Sequence, residues 1–546
     1  MKTSLCALRR RARLFFFPGA PIALAAAALI GCGSAAHPEP RRSDRAAPAS
    51  PARPPTEAQA APREEPPPSA ASRPFRFPTP AWAELPSGLK VATLVHRALP
   101  VVEIRVLVPG GAAVDAERYG VAEVTGALLR EGGAGALSGR DFLARLEAMG
   151  ATLSVETTLD ATVIRLAAPR AELAAALGLL GTMVQRPRLD AAELGKIKRR
   201  LTERIQDRAR EDGRWAALAM FHREIYFLQT ELHPYASLAP TPAEIAAITA
   251  ADCRAFHARQ FVPAGMVVVV AGDTTPEAVR AAAEQAFAAA NVDAGRGGGR
   301  RAAPTTTLSD ALPPESMKIT LVDRPGSPRS DVLVGFLGPS RNDREWPAFT
   351  LAAQVLGGGA AGRLFVDLVA QQGIAHAASA APLEVVQGPV PLVAHVATTP
   401  AKTGLAVQAL LDHTLRLAST ASEPEEVDVA SAQLTRGLAV RLQTPAALAD
   451  ELTRLRLLGL PDDHHETYRR EVRDLSAIYV GKVASAYVRP AHAVVVVAAD
   501  ADVVGPLLSH FGPVKIVDPT RNFERKRSLN ADAAAPIEPP RAPGGR

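Results

Sequence analysis

The one cluster among the histidines of this sequence is His464-His465-Glu466, within PDDHHETY. Imidazoles and a carboxylate are what a metal site needs, but here the spacing is wrong. Ligands that share one helical face stand three or four residues apart, whereas neighbouring positions are turned about 100° from each other. The other histidines of the twelve are scattered, and none forms an i, i+4 pair. The triplet therefore reads as a polar helix start, with metal binding as the lesser reading. Cys253, in ADCRAFHAR, falls on a helical pattern and reads as a buried or half-buried thiol rather than a nucleophile. No G-x-S-x-G elbow occurs. Gly357-Gly358-Gly359-Ala360-Ala361-Gly362 fits G-x-G-x-x-G, yet it follows the helical stretch FTLAAQVL. A dinucleotide loop needs a strand before it, so the glycines read as a turn where backbones approach closely.

The elements that would hold such groups begin after an export segment. Lys2, Arg9, Arg10, Arg11 and Arg13, with no acid among residues 1–31, carry five of the formal six net positive charges. The rest of the chain is left near neutrality, too little to build a nucleic-acid-binding face. The apolar run LFFFPGAPIALAAAALIG follows and ends at Cys32, the pattern of a secretory signal. Pro18, Pro21 and the alanines make it a poor membrane span, the alternative reading. Leu29-Ile30-Gly31-Cys32 resembles a bacterial lipobox, which implies that Cys32 is acylated and anchors the mature chain. Gly33 next to the cysteine points to the outer membrane, with the folded part facing the periplasm. Once Cys6 leaves with the signal and Cys32 takes lipid, Cys253 stands alone and no disulfide framework exists.

Residues 32–80 are rich in Pro, Ala, Arg and Glu and read as a disordered, semi-stiff tether. Beyond it the chain is a duplication. PAGMVVVVAGD begins at residue 263 and PAHAVVVVAAD at 490, an offset of 227. Leu94-Val95-His96-Arg97 and Leu321-Val322-Asp323-Arg324 repeat at the same offset. Two homologous domains are expected, 82–291 and 315–518, joined by a linker at 292–314 and followed by a disordered tail at 519–546. Each half reads as two strands, two helices, two strands, several long helices, then a valine-rich strand and a last helix. That order predicts an α+β fold in which each half is a mixed β-sheet covered by helices. In ELGKIKRRLTERIQDR, Leu194, Ile197, Leu201 and Ile205 form the stripe by which the helix packs.

This layout, with GVAEVTGALLREGG after the second strand, resembles the insulinase/pitrilysin family of zinc peptidases. ELHPYASL and FVPAGMVVVVAGD in the first half carry the likeness, as do DRPGSPRSDVLVGF and LGGGAAGRLF in the second. The resemblance implies a clam-like pair of domains enclosing a chamber for extended peptide. It also implies zinc on a His-x-x-Glu-His helix, where two histidines bind the ion and the glutamate activates water. Here the matching positions are Glu123, Gly126 and Ala127, so the catalytic set is degenerate. Glu203 is the lone match to the third ligand, and it points away from its helix's apolar stripe. One carboxylate cannot hold catalytic zinc, so no cofactor is expected. The family's substrate-holding arginine and tyrosine correspond to Val369 and His376. His376 can still donate a hydrogen bond, but nothing replaces the guanidinium fork. Gly358 and Gly359 match a glycine-rich loop that contacts peptide in related subunits.

The resemblance thus implies a non-catalytic lipoprotein subunit. Its partners would be a zinc-bearing homologue, an extended peptide and, through the lipid anchor, a membrane. Two alternatives stand beside it: an active zinc endopeptidase with unrecognised ligands, and a purely structural subunit like the respiratory-complex core proteins of the same fold.

Overall fold

The computed structural model describes residues 76–115, 118–227, 233–288 and 307–531. Cys32, most of the tether, much of the linker and residues 532–546 lie outside that range.

The N-terminal half runs β1 (Ala81–Glu84), β2 (Lys90–Val95), β3 (Val101–Pro109), α1 (Val121–Glu131), the small hairpin β4 (Gly133–Ala134) and β5 (Leu137–Ser138), then α2 (Gly139–Ala148). It continues with β6 (Thr152–Thr157), β7 (Ala161–Pro169), α3 (Leu173–Gln185), α4 (Ala191–Glu211), α5 (Gly213–Ile225), α6 (Pro242–Ala247), α7 (Ala250–Gln260), β8 (Val267–Gly272) and α8 (Pro276–Ala286). The C-terminal half begins with β9 (Lys318–Asp323), β10 (Ser330–Ser340), α9 (Trp346–Gly357), β11 (Ala375–Pro382), β12 (Pro389–Thr398), α10 (Thr403–Ser419) and α11 (Pro424–Arg441). After these come α12 (Pro445–Leu457), α13 (His464–Arg473), α14 (Ala477–Tyr487), β13 (Val494–Ala499), α15 (Ala501–Leu508), β14 (Val514–Asp518) and β15 (Glu524–Leu529).

The sheets are ordered β1-β2-β8-β3-β7-β6 and β11-β12-β10-β13-β9-β14-β15. Both are mixed: β2 pairs with β8 in parallel, and β9 with β13 likewise. The duplication survives in the register. Leu94 lies opposite Ala271 and Leu321 opposite Ala498, the same pairing displaced by 227 residues.

The valine runs are continuous rather than alternating because both faces of each sheet are buried. In β8, Val268 and Val270 join the core made with the half's own helices. Val267, Val269 and Ala271 face the other way, onto Leu448, Ala449 and Leu452 of α12, a helix of the opposite half. The exchange is mutual. Helix α5 of the N-terminal half covers the C-terminal sheet, contributing Trp215, Ala216, Met220 and Phe221 to its core. A Cβ on Gly335 of β10 would lie 2.5 Å from Phe221 Cζ, so glycine there makes room for the ring. Each buried side chain of this size contributes about 1.5–3 kcal/mol, and the two halves are bound together by both helices.

The C-terminal half runs past residue 518. Asp518 caps a short turn, and Glu524–Leu529 pairs antiparallel with β14. The tail assigned to 519–546 is therefore ordered at least to β15. ERKRSL shows no apolar face because the strand sits at the sheet edge with nearly every side chain exposed. Charged side chains of this kind also guard an open edge against pairing with other chains.

Candidate functional site

Helix α1 is set by its first residues. Gly120, at φ 90°, turns the chain into the helix, and a Cβ there would strike Pro240. The Asp115 carboxylate accepts from the backbone N–H of Gly120 at 2.9 Å and of Ala122 at 3.3 Å. Burial outweighs these bonds and raises its pKa to about 7. Val121, Val124, Leu128 and Leu129 turn inward, which leaves Glu123, Gly126 and Ala127 toward α4 and the edge strand β6.

That face is poor in donors. Arg204 Nη2 of α4 lies 3.4 Å from Glu123 Oε1, and one turn away Arg200 pairs with Glu131. Burial raises the Glu123 pKa, and Arg204 partly offsets this. Gly126 lies flush against β6: an added Cβ would sit 2.5 Å from Thr157 Oγ1. Ala127 is half-buried beside the same core. Glu203 is exposed and lines a separate groove with Arg130, Arg199 and Arg200. Its neighbour Arg204 is the residue that faces Glu123. These side chains do not fit zinc: two of the three helix positions carry no donor, and the one carboxylate is held by a guanidinium. Among the described residues no group of three His, Cys, Asp or Glu side chains could hold a metal ion.

The second set of residues lies around β11. Gly358 ends α9, Gly359 has φ 78°, and the preceding Gly357 abuts the backbone of Ser379 and Ala380. His376 is exposed at the start of that strand, at the bulge where the register shifts between Ala375 and Ala377. Val369 is half-buried against the core. The glycine turn and His376 thus border one sheet edge, at different points along it.

Between the halves opens a cavity of about 1180 Å³. The start of α1 and the β6–β7 turn form one side, with Tyr119, Glu123, Thr157 and Asp160; α11, α12 and α13 form the other. Here the histidine doublet acquires surroundings. His464 Nε2 lies 3.0 Å from Arg341 Nη2, and burial followed by the neighbouring guanidinium lowers its pKa to about 3. His465 Nε2 lies 2.9 Å from Glu451 Oε1. Arg341 also meets Glu384 at 3.0 Å, while Arg454 bridges Glu384 and Glu451 at 2.8 and 2.7 Å. Against the cost of burial, His465 and Arg454 hold Glu451 down to about 2. The polar helix start is therefore one wall of the cavity. Arg341, Glu384 and the helical pair Glu451 and Arg454 are not legible in the sequence because they come from three separate segments and follow no motif. Cys253 is buried in α7 and free.

Two family models match. Residues 90–234 fit the model described as insulinase (peptidase family M16), and residues 247–434 that of the peptidase M16 inactive domain. The chain belongs to the insulinase, or M16 peptidase, family. A peptidase M16 inactive domain from Pseudomonas fluorescens superposes with a TM-score of 0.68 at 23% identity, covering 77% of this chain and 97% of that one. A protease from Helicobacter pylori gives 0.68 at 18%, covering 77% and 100%. An M16-like peptidase from Alicyclobacillus acidocaldarius gives 0.64 at 17%, covering 78% and 99%. No curated protein matches the chain.

Proposed function

We propose that this protein is a non-catalytic, lipid-anchored M16 subunit that pairs with a zinc-bearing homologue and completes its peptide chamber. The observation that carries the reading is the donor-poor face of α1. Glu123 is paired with Arg204, and Gly126 and Ala127 carry no donor, where a metal-binding helix needs free ligands. What remains is a surface suited to holding peptide. β6 is the last strand of its sheet, its side chains alternately exposed and half-buried, and it ends at the cavity. An extended segment can add to such an edge through main-chain hydrogen bonds. Acylation of Cys32 would hold the subunit at the outer membrane, facing the periplasm.

The test is purification of the lipidated chain from its native membrane and identification of what remains bound. The reading expects an M16 homologue with an intact His-x-x-Glu-His helix, whose peptide hydrolysis rises when this chain is added back. Recovery of the chain alone, with no effect on such a homologue, would contradict it.

A further inference from the structure

Helix α13, one wall of the cavity, is held differently from α12 beside it. His465 and Val472 are its only buried residues, and it starts at Asp463 with no side-chain cap. Turns at 458–463 and 474–476 flank it, and Gly459 in the first has φ 66°. Its fastenings are mostly polar. His464 meets Arg341, His465 meets Glu451, and Tyr468 Oη lies 2.6 Å from Thr350 Oγ1 of α9. Water can take over hydrogen bonds of this kind when a helix lifts, as it cannot for the leucines under α12. Two further fastenings come from the other end of the chain. The Phe77 N–H donates to Glu466 Oε1 at 2.9 Å, and its ring lies 5.3 Å from that of His465. Trp82 Nε1 donates to Asp462 Oδ2 at 2.8 Å, just before the helix. Phe77 is buried with Leu438, Leu442 and Leu448. β1, which carries Trp82, is the outermost strand of its sheet and pairs over four residues with β2 alone. Residues 77–84 thus cross from the N-terminal sheet to the start of α13.

We infer that α13 is a lid on the cavity and that residues 77–84 are the strap that holds it shut. When the strap lets go, Glu466 and Asp462 lose their partners from the N-terminal half, and His465 loses the ring behind it. The helix then swings on its two turns while α12 and both sheets stay in place, an opening of one local unit rather than of the whole fold. Entry to the cavity is thereby governed from the end of the chain that leads to the tether. The lid works in the same way whatever the cavity holds, and whether or not the chain is paired with another subunit.

The test uses the full mature chain, read by hydrogen–deuterium exchange. Trp82→Phe removes the indole N–H and keeps a ring, and should speed exchange in α13 about fivefold. Phe77→Ala removes the buried ring and should speed it about a hundredfold. Exchange in α12, β3 and β8 should keep the wild-type rate in both. Tyr468→Phe frees the lid from α9 and should speed α13 about fivefold without touching β1. Opening of the cavity itself is read in Ala353→Cys, a buried, cavity-lining position one turn from Thr350. Its modification by a maleimide should quicken when either strap substitution is added, while the buried native Cys253 stays unreactive. Unchanged exchange in α13, a rise shared equally by α12, β3 and β8, or no gain in thiol modification at position 353 would overturn the inference. Should Phe77→Ala fail to fold, Trp82→Phe decides by the same readouts.

Discussion

The two exchanged helices, α5 and α12, occupy matching places in the halves and do different things. Each lies across the sheet of the other half, and each presents an acid to basic residues of that sheet. Glu224 of α5 meets Lys515 at 2.9 Å and Lys318 at 3.8 Å, and Asp450 of α12 meets Arg105 and Arg165. Helix α5 is buried nearly all round, with Trp215, Met220, Phe221 and Ile225 in the core. Helix α12 buries Pro445, Leu448, Ala449, Leu452, Thr453 and Leu455, and turns Asp450, Glu451 and Arg454 into the cavity. One helix is scaffold. The other is scaffold on one side and a wall of the cavity on the other.

The largest expected effect falls on the scaffold helix. Phe221→Ala empties the space between α5 and Gly335 and should cost about 3–5 kcal/mol in urea unfolding, in line with other deletions of a buried ring. A loss below about 1 kcal/mol would mean that α5 is not the cover of the C-terminal sheet. Next come the paired acids. Asp450→Ala leaves the Arg105 guanidinium, 4% exposed, with Glu103 as its remaining carboxylate, and should cost about 2–3 kcal/mol. Glu224→Ala releases Lys515 and Lys318, which are 42% and 36% exposed and can be hydrated, so about 1 kcal/mol is expected. Equal losses in the two variants would erase the distinction between the helices.

An effect between these two separates α1 from both. Gly126→Ala places a methyl group against Thr157 and should destabilise by about 1–2 kcal/mol. Adding Thr157→Ala should recover most of that loss, a coupling that a double-mutant cycle would show. Independent losses would mean that α1 does not close on β6 at this point.

The last effect concerns acid. The Glu451 pKa lies near 2, below the ordinary carboxylate value, so its stabilisation is complete above about pH 4.5 and is lost as pH falls toward 2. His464, lowered to about 3, acts in the same direction: the unfolded chain takes up its proton first, between about pH 6.5 and 3. The melting temperature of Glu451→Gln should therefore trail the wild type at pH 7 and converge with it near pH 2. A constant gap across that range would count against the network.

Much of this architecture was legible in the residues. PAGMVVVVAGD and PAHAVVVVAAD became β8 and β13 in matching registers, because a strand buried on both faces must be apolar throughout. The stripe Leu194, Ile197 and Leu201 on α4 is buried. The exchange of helices was not legible, since an apolar stripe shows that a helix packs but not on which sheet. β15 was missed because an exposed edge strand has no apolar side to reveal it. At α1 the resemblance implied which positions lack donors, while the pairing of Glu123 with Arg204 and the fit of Gly126 against Thr157 depend on α4 and β6. The cavity was hidden for a similar reason: Arg341, Glu384 and Arg454 meet only when three separate segments fold together.

The central claim, that α1 no longer supports a metal, is tested most directly by zinc analysis of the purified mature chain after dialysis against zinc-containing buffer. Far less than one zinc per chain is expected, with no peptide cleavage. One tightly held zinc per chain, lost together with Glu123→Gln and required for proteolysis, would contradict the account.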